Sequence, residues 1–505
     1  MLPLVFLGVL AAIQGADPNI SSSALLTAGK ALEMGRLSAL AASISTFVLA
    51  ATVITTGMIA DRLGRRKILL VALFISAVGD LLVALAPNTG VYLAGRALAG
   101  IGLGAVFGAA FAYIKTFATG KGGLPAALGV FMAASGLFTL LITFIGSSLV
   151  GVDWRLSFVV VPTLCLVSIL ITLFLLPGDG PRPINAGSWD VIGQLLLGVG
   201  IIAFLYGVSH ATHGIATPLT IIPVIAGVIV LALFGVWERR KGEDGFFPIH
   251  LFREPIFLAA VLIGLVYNFS SGVLLLSFSN LFQYANNLEG VQLSLMQVPY
   301  LLAGIIAALI VGRMRGAARI SQRGAVLIGT IILVIGFAIF AFTGIARPSN
   351  VLVFLPALIV VGGGVIIPSI PYGGLFLQEA DAKHYGVVSS SRTTVGQFWY
   401  ALGLAASTVL IDGITRNDVI NKLGSDAATQ LEQWSATGGK PSNPSVLPDA
   451  THAYSAAFSL TMLIFGALVL VAGIVAWSLL KRFQHADPPH TADAHPHSKT
   501  TTSAT

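Results

Sequence analysis

GMIADRLGRRK, residues 57–67, separates two long apolar stretches and packs four cations and one acid into a space too short to fold alone. On composition alone it is a basic connection of the kind that fixes how a membrane protein is oriented, because cationic loops stay on the cytoplasmic side. The spacing says more. Gly57 permits close helix approach, Asp61 can pair across to a neighbouring helix end, and Gly64 allows a tight turn before Arg65, Arg66 and Lys67.

The rest of the chain is apolar enough to match. Of 505 residues, 56% are hydrophobic and only 10% charged, with a mean hydropathy of +0.90. A soluble domain carries about 25% charged residues, so this chain could not cover a water-facing surface. A membrane helix needs about 20 apolar residues. The sequence divides into fourteen such stretches, near 2–30, 37–60, 68–86, 89–117, 122–150, 155–176, 190–210, 217–237, 255–285, 291–312, 324–344, 350–377, 384–412 and 453–480. The expected fold is therefore an all-α integral membrane protein with short connections. The exceptions are a polar outer loop over about 413–452 and a Pro-, His- and Thr-rich tail, 483–505, read as disordered.

Basic residues follow the same plan. With the N-terminus inside, the cytoplasmic set includes Arg62, Arg65, Arg66, Lys67, Lys115, Lys121, Arg182, Arg239, Arg240, Lys241, Arg313, Arg315, Arg319, Arg323, Lys383 and Arg482. An even number of spans returns the C-terminus to that side, so both termini are expected in the cytoplasm of a cell-membrane protein. The formal charge of +7 thus reports topology, and no nucleic-acid partner is expected. The single Cys165 excludes an intramolecular disulfide and a thiol metal cluster.

At this length and position, GMIADRLGRRK resembles the GxxxDRxGRR signature of the major facilitator superfamily. GRALAGIGLGAVFGAA, with Arg96, Gly100, Gly102 and Gly104, is similar to that family's RxxxGxGxG helix. VGRMRGAARISQRG, around Gly312, Arg313, Arg315 and Gly316, looks like a worn copy of the first signature that has lost its acid, as two homologous halves would leave. The resemblance implies two six-helix bundles around a midplane cavity. Fourteen spans, with SWDVIGQLLLGVGIIAFLYGV and VWERRKGEDGFFPIHLFREPIF near the middle, resemble the drug:proton antiporter branch. The implied division is a first bundle over 1–181, two linking helices over 182–245 and a second bundle over 246–482.

The resemblance implies export of small hydrophobic or amphipathic compounds in exchange for protons by alternating access. The chain would act as a monomer among lipids, driven by the proton gradient and without a cofactor. Helix 5, however, lacks the proline of the family's antiporter motif, reading GLFTLLITFIGSSLVG. A proton-linked importer or facilitator of a metabolite therefore stays open.

Ionisable residues near a bilayer centre cost about 2.5–3.5 kcal/mol each on insertion scales. Asp17, Asp80, Arg96 and Arg392 therefore need reasons. In the family, helices 1, 4, 9 and 12 of this chain would line the cavity, which places Asp17 near Arg96. Burial favours a neutral Asp17 and an approaching Arg96 favours an ionised one, which would make Asp17 a proton carrier. A static Asp17 to Arg96 pair, or a structural Asp80 to Arg96 pair, competes with that reading. For Arg392, snorkelling to the interface competes with any role. Asn268, Ser271, Asn280, Gln283 and Tyr284 on helix 9, with Tyr300, Gln397 and Trp399, are the candidate cavity residues, against which stands ordinary helix-to-helix hydrogen bonding.

Other classes lack their chemistry. The absence of any GxxxxGK[ST] excludes an ATP-driven pump on this chain. His210, His213 and His250 form no HExxH, and no GxSxG occurs, so neither an enzyme nor a metal site is expected.

Overall fold

The computed structural model describes residues 1–34, 37–118, 123–179, 189–211, 214–242, 245, 247, 249–286, 288, 290–346, 350–378, 385–427 and 446–481. Every regular element among these residues is helical. Fourteen are long and apolar enough to cross a membrane: α1 (Leu2–Leu25), α2 (Leu40–Leu63), α3 (Arg65–Ala84), α4 (Thr89–Phe117), α5 (Gly123–Leu149), α6 (Trp154–Leu175), α7 (Val191–His210), α8 (Pro218–Lys241), α9 (Pro255–Gln283), α10 (Leu295–Gly316), α11 (Gln322–Ala346), α12 (Val351–Phe376), α13 (Ser391–Leu423) and α14 (Pro448–Leu480). Helices are what lipid demands, because each backbone N–H and C=O must find its partner within the segment. The span count equals the one expected. Lys121, Arg182, His213, Lys383, Arg482 and the tail 483–505 lie outside the described residues.

One boundary needs correction. The apolar pattern places the outer loop over 413–452, but the helix of α13 runs on to Leu423 and that of α14 begins at Val446. Residues 413–423 are polar yet helix-permissive. Lys422 Nζ lies 2.7 Å from Asp418 Oδ2 one turn back, and Gly424 at φ +88° ends the helix.

Packing follows the small residues. Gly79 and Gly95 let α3 and α4 touch backbone to backbone; a Cβ on Gly79 would lie 2.8 Å from Ala99 Cα. α1 packs on α5 and α4, α11 on α14 and α12, and α7 on α8, α2 and α13. The two linking helices thus stand outside the bundles. α7 straddles their junction, with Phe204 stacked on Phe398 of α13 at 5.2 Å, while α8 leans chiefly on α7.

The bundles meet through α5 with α10 and through α2 with α13. Gly129 and Gly312 make the first contact possible, since a Cβ on Gly129 would stand 2.8 Å from both Ala308 O and Gly312 Cα. The apolar clusters shared by both bundles draw their second-bundle members from the end that carries the GMIADRLGRRK loop, including Val311, Ala325, Ile370, Phe376 and Leu480. At the opposite end each bundle keeps its own cluster, Tyr92 with Trp154 and Phe158 in one, Val419 with Ala450 in the other. This form is sealed at the basic end.

Candidate functional site

Arg96 is fully buried in α4, and the glycines after it explain what reaches it. Gly100 meets Ser45 Cα of α2, at 3.0 Å from a built Cβ, and Gly102 meets Ala72 O of α3 at 2.7 Å. With three backbones this close, Asp17 of α1, Ser45 of α2 and Asp80 of α3 all converge on one guanidinium. Arg96 Nη1 donates to Asp17 Oδ1 at 2.5 Å and Nη2 to Asp17 Oδ2 at 2.8 Å, a bidentate pair. Nη1 also donates to Asp80 Oδ1 at 3.1 Å, and the Ser45 hydroxyl to Asp17 Oδ2 at 3.3 Å. The Asp17 and Asp80 pairs weighed as competitors are therefore both made at once. Arg96 Nε and Asp80 Oδ2 are buried without a partner. The group holds one cation and two carboxylates beneath Phe158, whose ring centroid is 5.7 Å from Arg96 Cζ.

In the basic loop, Gly64 has φ +108°, a conformation natural only to glycine. Asp61 Oδ1 accepts from Arg65 Nη2 at 3.0 Å, one turn along. The acid that caps the neighbouring helix is a different one. Asp179, just beyond α6, accepts from the backbone N–H of Arg66 at 2.8 Å and of Lys67 at 3.3 Å, closing the N-terminus of α3. Arg66 Nη2 also donates to the Leu173 carbonyl, and Arg62 lies over the Trp189 ring at 4.6 Å. Gly57 is buried in α2.

The expected cavity residues are only partly gathered. Asn268 lies in a π-helical turn, Leu265–Phe269, a distortion common at functional positions, and its side chain faces Gly396 of α13. Ser271 spends its hydroxyl on its own helix, at Tyr267 O, and Trp399 donates to Val261 O at 3.0 Å. The Ser271 hydroxyl also meets the side chain of Tyr300, and the Trp399 bond ties α13 to α9. Tyr300 is buried against Phe278, ring centroids 5.7 Å apart, while Asn280 and Gln397 are half-buried and Gln283 is exposed. The side chain of Tyr284 lies outside the described residues.

Two residues gain importance from the structure. Asp179 could have been noticed in the sequence as a lone acid after a span on the basic side, in LLPGDGP. Arg392 does not snorkel. It is 4% exposed, beneath the bundle junction, with its Cζ 4.2 Å from the Phe111 ring centroid, 5.0 Å from that of Tyr372 and 5.6 Å from that of Phe107.

Comparison with known proteins agrees with this geometry. The model of the major facilitator superfamily matches residues 7–404. The multidrug resistance protein B homolog of Mycobacterium tuberculosis (strain CDC 1551 / Oshkosh) is 29% identical over 451 residues, 84% of this chain and 80% of that protein. The puromycin resistance protein pur8 of Streptomyces alboniger is 28% identical over 459 residues, 87% and 83% of the two chains. Among solved structures, the proton:xylose symporter XylE superposes with a TM-score of 0.59 at 12% identity, covering 94% of this chain and 95% of that one.

Proposed function

Since the chain belongs to the major facilitator superfamily, we propose that it exports small hydrophobic or amphipathic compounds in exchange for protons. Membership makes it a multi-pass membrane transporter of small molecules and not an enzyme. The names of its relatives support efflux as the direction. The basic loops favour a plasma-membrane protein with both termini in the cytoplasm, so the form sealed at the basic end faces outward. Its bundles, 1–181 and 246–482, rock as units about the midplane of a monomer surrounded by lipid.

The observation that carries the proton part is the Asp17, Arg96, Asp80 group. Two ionised carboxylates against one guanidinium leave a net negative charge in a dry interior, which is costly. One proton neutralises the set. Arg96 engages both oxygens of Asp17, whereas Asp80 Oδ2 has no partner, so in this form Asp80 offers the open acceptor. Movement of α1 against α4 alters the Asp17 to Arg96 pair, and with it the hold on the proton. Gly57, Asp61, Arg62, Gly64, Arg65 and Arg66 act as the latch of the basic end, tied to α6 through Asp179. Asn268, with Tyr300 and Gln397, lies on the substrate side of the second bundle.

The test is purified protein in liposomes containing a pH dye, challenged with lipophilic cations and then with neutral metabolites. Collapse of an imposed pH gradient on adding a lipophilic cation, abolished by Asp17→Asn, is the expected result. Proton movement only with a metabolite, or substrate movement with none, replaces export by the importer or facilitator reading that the altered helix 5 motif left open. Asp61→Asn should stop transport while the protein still inserts; full activity in that variant sinks the latch.

A further inference from the structure

Among the described residues, Arg392 is a buried charge without a counter-charge. No acidic side chain among the described residues pairs with it, and its Nε is buried with no hydrogen-bond partner. What surrounds it is aromatic and comes from both bundles: Phe107 and Phe111 from α4, Tyr372 from α12. Ring faces attract a desolvated guanidinium, yet less strongly than a carboxylate does. Tyr372 is held in place by donating its hydroxyl to Arg392 O at 2.5 Å, and Phe111 packs within 3.1 Å of a Cβ built on Gly373. The cage therefore exists only while the basic end is closed. Parting the bundles takes Phe107 and Phe111 away with α4 and leaves Arg392 on Tyr372, facing the cleft that opens between them.

We propose that Arg392 is the recognition group for the carboxylate of an amphipathic organic anion, which it binds when the basic end opens. The inference deepens the export reading and rests on it for the relative movement of the bundles. A guanidinium offers a carboxylate two parallel N–H···O bonds, and the neighbouring rings receive an apolar body attached to that carboxylate. The anion's arrival substitutes for the rings that the departing bundle removes. The loaded cleft thus has no naked buried cation, whereas the empty one does, which ties opening to the presence of cargo.

The experiment is equilibrium dialysis of the full-length protein in lipid nanodiscs against three probes of nearly one shape: 2-naphthylacetate, 2-naphthylacetamide and 2-naphthylethylammonium. The wild type should bind the carboxylate at least tenfold more tightly than the amide and bind the ammonium least. Arg392→Gln should bring the carboxylate to the level of the amide, and Arg392→Lys should retain part of the preference. Gly129→Ala crowds the α5 to α10 contact that seals the basic end and should tighten carboxylate binding. Equal binding of the three probes by the wild type, a preference for the ammonium, or a carboxylate preference that survives Arg392→Gln overturns the proposal. The wild-type comparison needs no variant to fold. If lipophilic cations move protons in liposomes while the wild type shows no carboxylate preference, this inference alone fails. If the preference holds through Arg392 but neither the lipophilic cations nor 2-naphthylacetate, added to the same liposomes, moves protons in a way that needs Asp17, the export reading alone fails.

Discussion

Arg96 and Arg392 are both buried arginines on membrane-spanning helices, and the molecule treats them in opposite ways. Arg96 lies inside one bundle, toward the end away from the basic loop, with two carboxylates on it. Arg392 lies between the bundles, on the basic side, with three aromatic rings and, among the described residues, no acid. The difference teaches where charge can be held and where it must be movable. Within a bundle, helices stay together, so an ion pair can be built once and kept. Between bundles, a full ion pair would resist separation; an aromatic cage closes the junction with a weaker and more reversible attraction.

The comparison is sharpest under neutral replacement. Arg96→Met leaves Asp17 and Asp80 facing each other without a cation and should cost about 3–5 kcal/mol, the usual penalty for breaking a buried pair from one side. Thermal unfolding in detergent measures it, and an unshifted midpoint would break the contrast. Asp17→Asn restores charge balance between Arg96 and Asp80, so its stability cost should be smaller, about 1.5–3 kcal/mol for a lost charge-assisted bond. The same melts check this, and substrate-driven proton movement should be gone.

Phe111→Glu attempts to turn the second site into the first by giving Arg392 an acid from the opposite bundle. Efflux from liposomes should slow at least tenfold because the basic end is now pinned shut; undiminished turnover would show that the cage does not gate. Arg392→Met should have the least effect on folding, within about 1 kcal/mol of wild type, because exchanging an uncompensated buried ion for an apolar side chain of similar size is often neutral or better. A drop as large as that of Arg96→Met would mean that the two sites are energetically alike after all.

Much of this was legible in the residues. The fourteen spans, the basic loop and the small-residue pattern of α4 depend on local rules: about 20 apolar residues to cross, cations kept to one side, glycines where backbones touch. Asp17, Asp80 and Arg96 could be singled out because an ionisable residue deep in an apolar run is expensive wherever it lies. Whether Arg96 takes one acid or both is a matter of how three helices cross, and no spacing along one chain encodes it. Asp179 was missed for the same reason: it lies 113 positions from the Arg66 amide that it caps. On α9, Ser271 bonds its own helix at Tyr267 O and meets Tyr300 of α10, while Trp399 of α13 donates across to Val261 of α9, pairings that spacing along one helix does not reveal. The extension of α13 past its apolar core was hidden because a polar helix that leaves the membrane reads as a loop.

The sequence alone determined the class of the protein, its number of crossings and the short set of charges that demand an explanation, because each follows from transfer cost residue by residue, and its motifs carried the family likeness. Only the tertiary structure decided which charges are partnered, that one arginine is locked within a bundle while the other bridges two, and which end of the molecule is closed. Those depend on contacts between helices hundreds of residues apart, such as Phe111 with Arg392, whose free energy belongs to the packing and not to either segment.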